Sequence, residues 1–509
     1  MLKTIRIALA ALFFTGITWL FLDVTETAQY LLGWMACIQF LPAVLALSIG
    51  IVALLVLLTL LFGRIYCSTI CPLGVFQDIF AWLGTRRGKK RYHFSKARNR
   101  LRYGALAAFV LLGVLGVHSL ALLLAPYSAY GRIAQNLFSP VYRAGNNLLA
   151  LLAERAGSYA FSASDISIRS LPTFGIALAF FALIAFLAFR HGRIWCNTLC
   201  PVGTVLGFLS RFAWFRPVLD REKCVRCRLC EERCKAGCID TQTQTVDSSR
   251  CVACMNCIGD CPKGAIRLTH EKRESTMKAP AEIEESSSAE AMEQARLSTA
   301  RRGFLLALPA VLFAALPAGA RAEGNRTDGG LAELKPRRQP KRTLPVRPPG
   351  ALGQKNFTTR CTACQLCVAA CPNGVLRPST SALGLMQPEM GFDRGFCRPE
   401  CRRCSDICPT GAIQRIGDSE KSSIHIGYAI WDKALCLPAT GGDACGNCER
   451  HCPNGSISLI SFTAPNGKKV QVPAVDKERC IGCGACEYVC PARPVSAIHV
   501  TGYEMHRIN

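Results

Sequence analysis

The chain has 509 residues, half of them hydrophobic, with a formal net charge of +25 and 30 cysteines. That length holds three or four units, and long apolar runs exclude an ordinary soluble protein in favour of membrane segments with soluble attachments. The charge does not point to nucleic acid, because much of it lies in two stretches, 86–102 and 321–347, the first being what the positive-inside rule expects of a loop between membrane helices.

Residues 1–215 carry four apolar runs, near 5–22, 41–62, 103–125 and 174–189. Each approaches the length that crosses about 30 Å of hydrocarbon. Lys3 and Arg6 precede the first run, and His191 and Arg193 follow the fourth. The expected fold here is four membrane helices with the N-terminus, the 63–102 loop and everything after 190 in the cytoplasm, and 23–40 and 126–172 on the other side.

Two stretches of this part repeat. Gly63-Arg64-Ile65-Tyr66-Cys67-Ser68-Thr69-Ile70-Cys71-Pro72-Leu73-Gly74 matches Gly192-Arg193-Ile194-Trp195-Cys196-Asn197-Thr198-Leu199-Cys200-Pro201-Val202-Gly203. Each follows an even-numbered run, so the membrane part reads as two copies of a helical hairpin, and sites tend to form where such repeats meet. Cys67, Cys71, Cys196 and Cys200 would supply four thiolates, enough for an iron–sulfur centre or a single metal; thiol chemistry, disulfides (least expected in a reducing cytoplasm) or small buried hydrophobes are the other readings. His118, Asp23 and Glu26 are candidate proton acceptors near the outer face. Cys37 stands alone and reads as structural. Cys-x-x-Cys-His does not occur, which excludes covalent c-type haem. Gly-x-Gly-x-x-Gly and Walker-type loops do not occur either, so dinucleotide and ATP are not expected.

Residues 216–270 contain Cys224, Cys227, Cys230 and Cys234, then Cys251, Cys254, Cys257 and Cys261 before Pro262. C-x2-C-x2-C-x3-C twice over is the bacterial run for two [4Fe–4S] clusters, in which three close cysteines wrap one cubane and the fourth ligates the other. The expected sets are Cys224, Cys227, Cys230 with Cys261, and Cys251, Cys254, Cys257 with Cys234. Lys235 replaces the usual proline, and nearby Cys238 is either a substitute for Cys234 or spare.

Residues 271–299 are polar and acidic and read as a linker. The stretch 300–322 begins Ala300-Arg301-Arg302-Gly303-Phe304-Leu305-Leu306 and ends Ala320-Arg321-Ala322 after an apolar run. It reads as a twin-arginine export signal with a small-residue cleavage site, or as a fifth membrane helix; either way residues 323–509 are expected outside the cytoplasm. Residues 323–354, rich in Pro, Arg and Gly, read as a second linker.

Residues 355–509 hold four more groups: Cys361, Cys364, Cys367, Cys371; Cys397, Cys401, Cys404, Cys408; Cys436, Cys445, Cys448, Cys452; and Cys480, Cys483, Cys486, Cys490. All four end in Cys-Pro, which a disulfide framework has no reason to share. They predict four [4Fe–4S] clusters, six in the chain, in α+β ferredoxin-like modules whose short strands come after the cysteines at 412–413, 456–459 and 497–500.

On these motifs residues 1–270 resemble the NapH-type membrane ferredoxins, and residues 298–509 resemble the NapG/MauM-type ferredoxins exported by the twin-arginine translocase. The chain is similar to a fusion of the two. The resemblance implies a bacterial inner-membrane protein that takes electrons from the quinone pool, with quinol as substrate, and passes them to a periplasmic reductase of the nitrate reductase type or a cytochrome c-type carrier. Methylamine-type dehydrogenase systems and maintenance of a partner's metal site are the alternatives it leaves open. It also implies ligand exchange between outer and inner groups: Cys361, Cys364, Cys367 with Cys490; Cys480, Cys483, Cys486 with Cys371; Cys397, Cys401, Cys404 with Cys452; and Cys436, Cys445, Cys448 with Cys408. Cleavage after Ala322 would separate the two halves.

Overall fold

The structure, a computed structural model, describes residues 2–23, 27–88, 92–164, 166, 170–270, 337–382, 384–417, 419–441 and 443–508. The stretch 300–322 therefore lies outside the described residues, as do Glu26 and the linker 271–299.

The helical part is built on two apolar helices of 21 residues, Leu2–Leu22 and Leu171–His191. These are the two helices among the described residues long and apolar enough to cross a membrane. The other two expected spans are broken. The run 41–62 divides into Phe40–Leu45 and the 14-residue helix Ile49–Phe62, because Leu47 takes a left-handed φ of 54° between them. The run 103–125 divides into Asn99–Val114 and His118–Ala121, because Gly116 turns at φ 79°. Both long pieces are shorter than the roughly 20 residues a straight crossing needs.

Pro72–Gly88 packs along Leu171–His191 through Phe76, Phe80 and Phe181. A further helix runs Pro126–Ile133, Ala134–Phe138 and Ser139–Arg155, its middle piece wound as a π-helix, a form frequent at functional sites. Pro126–Ile133 is buried throughout, whereas the sequence places 126–172 in an outer loop.

Two cysteine-rich units flank this bundle. In the first, Arg216–Leu219 pairs antiparallel with Ile266–Thr269 and closes the unit around its cysteines. The second comprises 337–508. Its longest sheet pairs Ile424–Trp431 with Ile498–Ile508, tying the middle of the unit to its end. Leu376–Pro378 pairs with Pro388–Met390, and Ile457–Thr463 with Lys469–Val475. The strands expected near 456 and 497 form, starting at Ile457 and Ile498, whereas 412–413 is a bend. Part of the second linker is also corrected: 337–354 packs into this unit. Val346 and Ala351 are fully buried, and Arg342 forms a 2.6 Å ion pair with buried Glu487.

The first helix links the two units. Lys3 near its start is 3.7 Å from Asp260 of the first unit, while Phe21 at its other end shares an apolar core with Cys364, Leu366 and Ala370 of the second. At 1.5 Å per residue, about 27 Å of helix separates these contacts.

Candidate functional site

Four cysteine groups share one backbone device. At 224–230, 251–257, 361–367 and 480–486 the residues on either side of the middle cysteine take positive φ: Arg226 and Arg228, Ala253 and Met255, Ala363 and Gln365, Gly482 and Gly484. Outside glycine this conformation costs about 1–2 kcal/mol. Its recurrence around one cysteine turns successive N–H groups into a concavity that accepts an anionic group such as an iron–sulfur cluster. The groups at 397–404 and 436–448, irregular in spacing, close instead through Arg402 (φ −119°) and Gly446 (φ −163°) ahead of the short helices Arg403–Asp406 and Asn447–Arg450. Backbone N–H groups donate to the last cysteine of several groups: Ala265 to Cys261 (3.3 Å), Ile413 to Cys408 (3.5 Å), Ser456 to Cys452 (3.3 Å) and Ala497 to Cys490 (3.3 Å).

Cys224, Cys227, Cys230 and Cys261 line one void, and Cys251, Cys254 and Cys257 lie together with Cys234, both as expected. The second unit departs from the expected exchange. Cys480, Cys483 and Cys486 share a void with Cys452, and Cys436, Cys445 and Cys448 share one with Cys490. Cys408 faces Cys361, Cys364 and Cys367, while Cys371 faces Cys397 and Cys404. Neighbouring groups thus exchange their last cysteine, and outer groups do not reach inner ones. Local exchange closes shorter loops and costs less chain entropy. Burial pushes the thiols up, Cys364 and Cys448 to about 11 and Cys483 to about 12. A thiolate in these voids therefore calls for a cationic partner, and iron supplies one.

The repeated C-x3-C-P stretches meet inside the helical part, and almost every repeated residue has a reason. Gly63 (φ 73°) and Gly192 (φ 65°) end the preceding helices in a conformation that favours glycine. Cys67 and Cys196 lie in the five-residue helices Ile65–Thr69 and Ile194–Thr198, while Cys71 and Cys200 sit at the breaks before Pro72 and Pro201. Thr69 and Thr198 donate to the Ile65 and Ile194 carbonyls at 2.8 and 2.7 Å.

The arginines then cross over. Arg64, fully buried, donates to the Cys196 carbonyl (3.0 Å), to Asn197 Oδ1 (2.7 Å) and toward Cys67 Sγ (3.9 Å). Arg193, also fully buried, donates to the Cys67 carbonyl (2.8 Å) and toward Cys196 Sγ (3.8 Å). Gly74 and Gly203 leave room for this: a Cβ on either would lie 2.2 or 2.3 Å from the Cys67 or Cys196 carbonyl, and 2.8 Å from the opposite arginine. Gln77 adds a donor to Cys196 Sγ at 3.2 Å. All four thiols feel one another electrostatically. Among the described residues no three His, Cys, Asp or Glu side chains close around a single metal ion.

This tetrad is bracketed by cysteines of both units. Arg64 also donates to the Ser249 carbonyl (3.3 Å) and lies within electrostatic reach of Cys251. On the other side Tyr66, beside Cys67, Cys71 and Cys200, lies within reach of Tyr127, which in turn neighbours Cys364, Cys37 and Cys408. Cys37, expected to be merely structural, thus lies where the bundle meets the second unit. Beyond that point the groups continue in a line: Cys367 neighbours Cys404, the Cys397 N–H donates to the Cys483 carbonyl at 3.0 Å, and Cys486 neighbours Cys448.

The proposed proton acceptors are less prominent. Asp23 accepts from the Ala28 N–H at 2.8 Å, and His118 opens a short helix next to the second unit. Sequence reasoning missed Arg64, Arg193, Gln77 and Tyr127. The two arginines were visible in the repeat, whose identical positions extend beyond the cysteines.

Comparison with known families accords with this geometry. A family model described as a 4Fe-4S binding domain matches residues 44–90 and 173–222, each segment holding one C-x3-C-P stretch. A 4Fe-4S dicluster domain matches 360–412 and 443–493, which cover the first two cysteine groups of this unit and most of the last two. A further 4Fe-4S binding domain matches 245–267. The methylamine utilization ferredoxin-type protein MauM of Methylobacillus flagellatus is 37% identical over 170 residues, 32% of this chain and 70% of that protein. MauM of Paracoccus denitrificans is 34% identical over 188 residues, 35% of this chain and 81% of that protein. The ferredoxin-type protein NapG of Escherichia coli is 36% identical over 182 residues, 32% of this chain and 77% of that protein. No solved structure matches.

Proposed function

Over about a third of its length the chain belongs to the ferredoxin-type proteins that include MauM and NapG, and we propose that the whole is a membrane-bound electron carrier. It takes electrons from quinol at the bacterial inner membrane and delivers them through an exported unit to a periplasmic reductase of the nitrate reductase type. The observation that carries this reading is the position of the Cys67, Cys71, Cys196 and Cys200 tetrad between the cysteines of the first unit and those at 361–408.

Loaded with iron and sulfide, each cysteine group supplies a centre that takes up and releases one electron. The chain's own residues do the rest. The positive-φ pairs hold N–H groups toward the centre, and N–H donors on the last cysteines temper the sulfur charge. Arg64 and Arg193 sit against the tetrad as buried counter-charges, which four thiolates near the bilayer require. The 4Fe-4S description of the segments at 44–90 and 173–222 supports a cluster rather than a single metal at the tetrad. Quinol oxidation would release two electrons and two protons; the successive cysteine groups would hold the centres that accept the electrons one at a time, and the protons would pass to solvent. The two apolar helices, and the about 27 Å of helix between the contacts with the two units, suit a bilayer crossing.

The test is Cys67→Ser combined with Cys196→Ser in the full chain. Iron bound by the first and second units is expected to stay, while quinol-driven reduction of the second unit is lost and dithionite reduction persists. Wild-type rates in the double variant would sink the reading.

A further inference from the structure

The second unit is not merely adjacent to the bundle; it is fitted to it. Gly131 lies so close to the Cys364 carbonyl that a Cβ would stand 2.4 Å away, and 2.8 Å from the Phe21 ring. On the π-helical turn, Asn136 Nδ2 donates to Gln365 Oε1 at 2.9 Å, a pair buried on both sides. Ser119 Oγ donates to the Ala382 carbonyl at 3.1 Å. Phe21, Tyr127, Ala129, Tyr130 and Ile133 share one core with Leu366, Ala369, Ala370 and Ile407. All these contacts fall on one end of the second unit, the end with Cys361, Cys364, Cys367 and Cys408.

Resting on the reading above, we infer that this seat, and not the covalent connection through 271–336, delivers electrons to the second unit, and that they enter only at the 361–408 end. One electron arrives for each that leaves toward Cys483 and Cys448, with no bond made or broken. The occupant of the seat is thus a segment of this same chain, held as a subunit would be. Cleavage after Ala322 would leave the halves working together.

The test has two arms. In the first, a protease site is placed within 271–299 of the detergent-solubilised full chain and cut to completion. The halves are expected to stay associated on a sizing column and to keep quinol-driven reduction of the second unit. Separation, or association with loss of reduction, would overturn the inference. In the second arm, Gly131→Leu is expected to retain iron and dithionite reduction but lose quinol-driven reduction of the second unit alone. Asn136→Leu, a milder wedge, serves if Gly131→Leu does not fold. Full rates in a folded wedge variant would also overturn the inference. If quinol reduces no centre even in the uncut wild type, the functional reading fails, while association after cleavage still reports on the seat.

A separate observation concerns Cys238. The run Cys234-Lys235-Ala236-Gly237-Cys238-Ile239 parallels Cys261-Pro262-Lys263-Gly264-Ala265-Ile266 and Cys452-Pro453-Asn454-Gly455-Ser456-Ile457, with the three glycines at φ 56–57°. Cys234 therefore keeps the place of the fourth ligand, and Cys238 takes that of Ala265 and Ser456. Ser456 Oγ lies 3.2 Å from Cys452 Sγ, and Cys238 Sγ lies 3.5 Å from Cys234 Sγ. The geometry assigns Cys238 as a thiol donor to the cluster ligand Cys234, a positioning residue that raises that cluster's potential by stabilising its reduced, more negative state. In a redox titration followed by EPR, Cys238→Ala should lower the midpoint of one cluster with iron content unchanged, and Cys238→Ser should restore most of the shift. Loss of four irons, or an unmoved midpoint, would overturn the assignment.

Discussion

The two iron–sulfur units grip the same bundle by opposite means. The first is held mainly by charge, although Val252 and Ala236 also pack into the bundle's apolar core. Arg64 and Arg102 both donate to the Ser249 carbonyl, Arg250 reaches Ser95, and Lys235 lies 2.5 Å from Asp78, which Arg193 approaches at 2.6 Å and Arg6 at 3.4 Å. The second is held by neutral groups: an amide pair, a serine on a carbonyl, a glycine against backbone and a shared apolar core. The charged grip runs straight into the tetrad, since Arg64 and Arg193 belong to both. The neutral seat can be assembled from two finished surfaces.

The comparison can be broken hardest at Asp78. Asp78→Asn leaves three cations around a neutral amide, and removing one partner of a buried ionic group costs about 3–5 kcal/mol. We expect the first unit and the tetrad to loosen together, seen as a lower thermal midpoint and loss of quinol-driven reduction, with iron retained in the second unit. An equal loss from both units would mean that the grips are not independent.

Asn136→Ala should weaken only the seat, by about 1–3 kcal/mol, because Gln365 then loses a buried partner. The readout is faster proteolysis near Gln365 with the first unit's EPR signals unchanged. Salt sharpens the contrast further. Lys3–Asp260 is 3.7 Å long with a part-exposed lysine, and such a pair is worth at most about 1 kcal/mol and is screened by salt. High salt should therefore speed hydrogen exchange around Asp260 and leave that around Gln365 unchanged.

The smallest expected effect is a pH dependence in the second unit. Burial pulls His506 down to about 4, below the roughly 6.5 of a free histidine. Its contribution to stability is complete above about 6.5 and is lost as pH falls toward about 4, since the unfolded chain takes up the proton first. A His506→Gln variant should flatten that slope in urea titrations between these values.

Much of the site was legible because cysteine spacing is dictated by cluster geometry. Cys261-Pro262 and its counterparts announce ligands wherever they fall, and the twelve-residue repeat carried the tetrad together with its arginines. What stayed hidden depends on contacts distant in sequence. The local grouping of cysteines in the second unit goes with the pairing of Ile424–Trp431 and Ile498–Ile508, which no single segment encodes. Gly131 and Asn136 lie in a stretch that passes for an outer loop, and only the neighbour that lands on them gives them meaning. The broken runs at Leu47 and Gly116 were invisible to hydropathy, which counts apolar residues and ignores φ.

The first helix has one more consequence. With Lys3 against one unit and Phe21 against the other, the proposed orientation, with the first unit inside and the second outside, would make an electron passing between them traverse the membrane voltage. A cell whose interior is negative pushes that electron outward, adding about 2.3 kcal/mol for every 100 mV. Respiring cells would thus drive delivery faster than de-energised ones holding the same quinol, and collapsing the voltage with an ionophore would slow it.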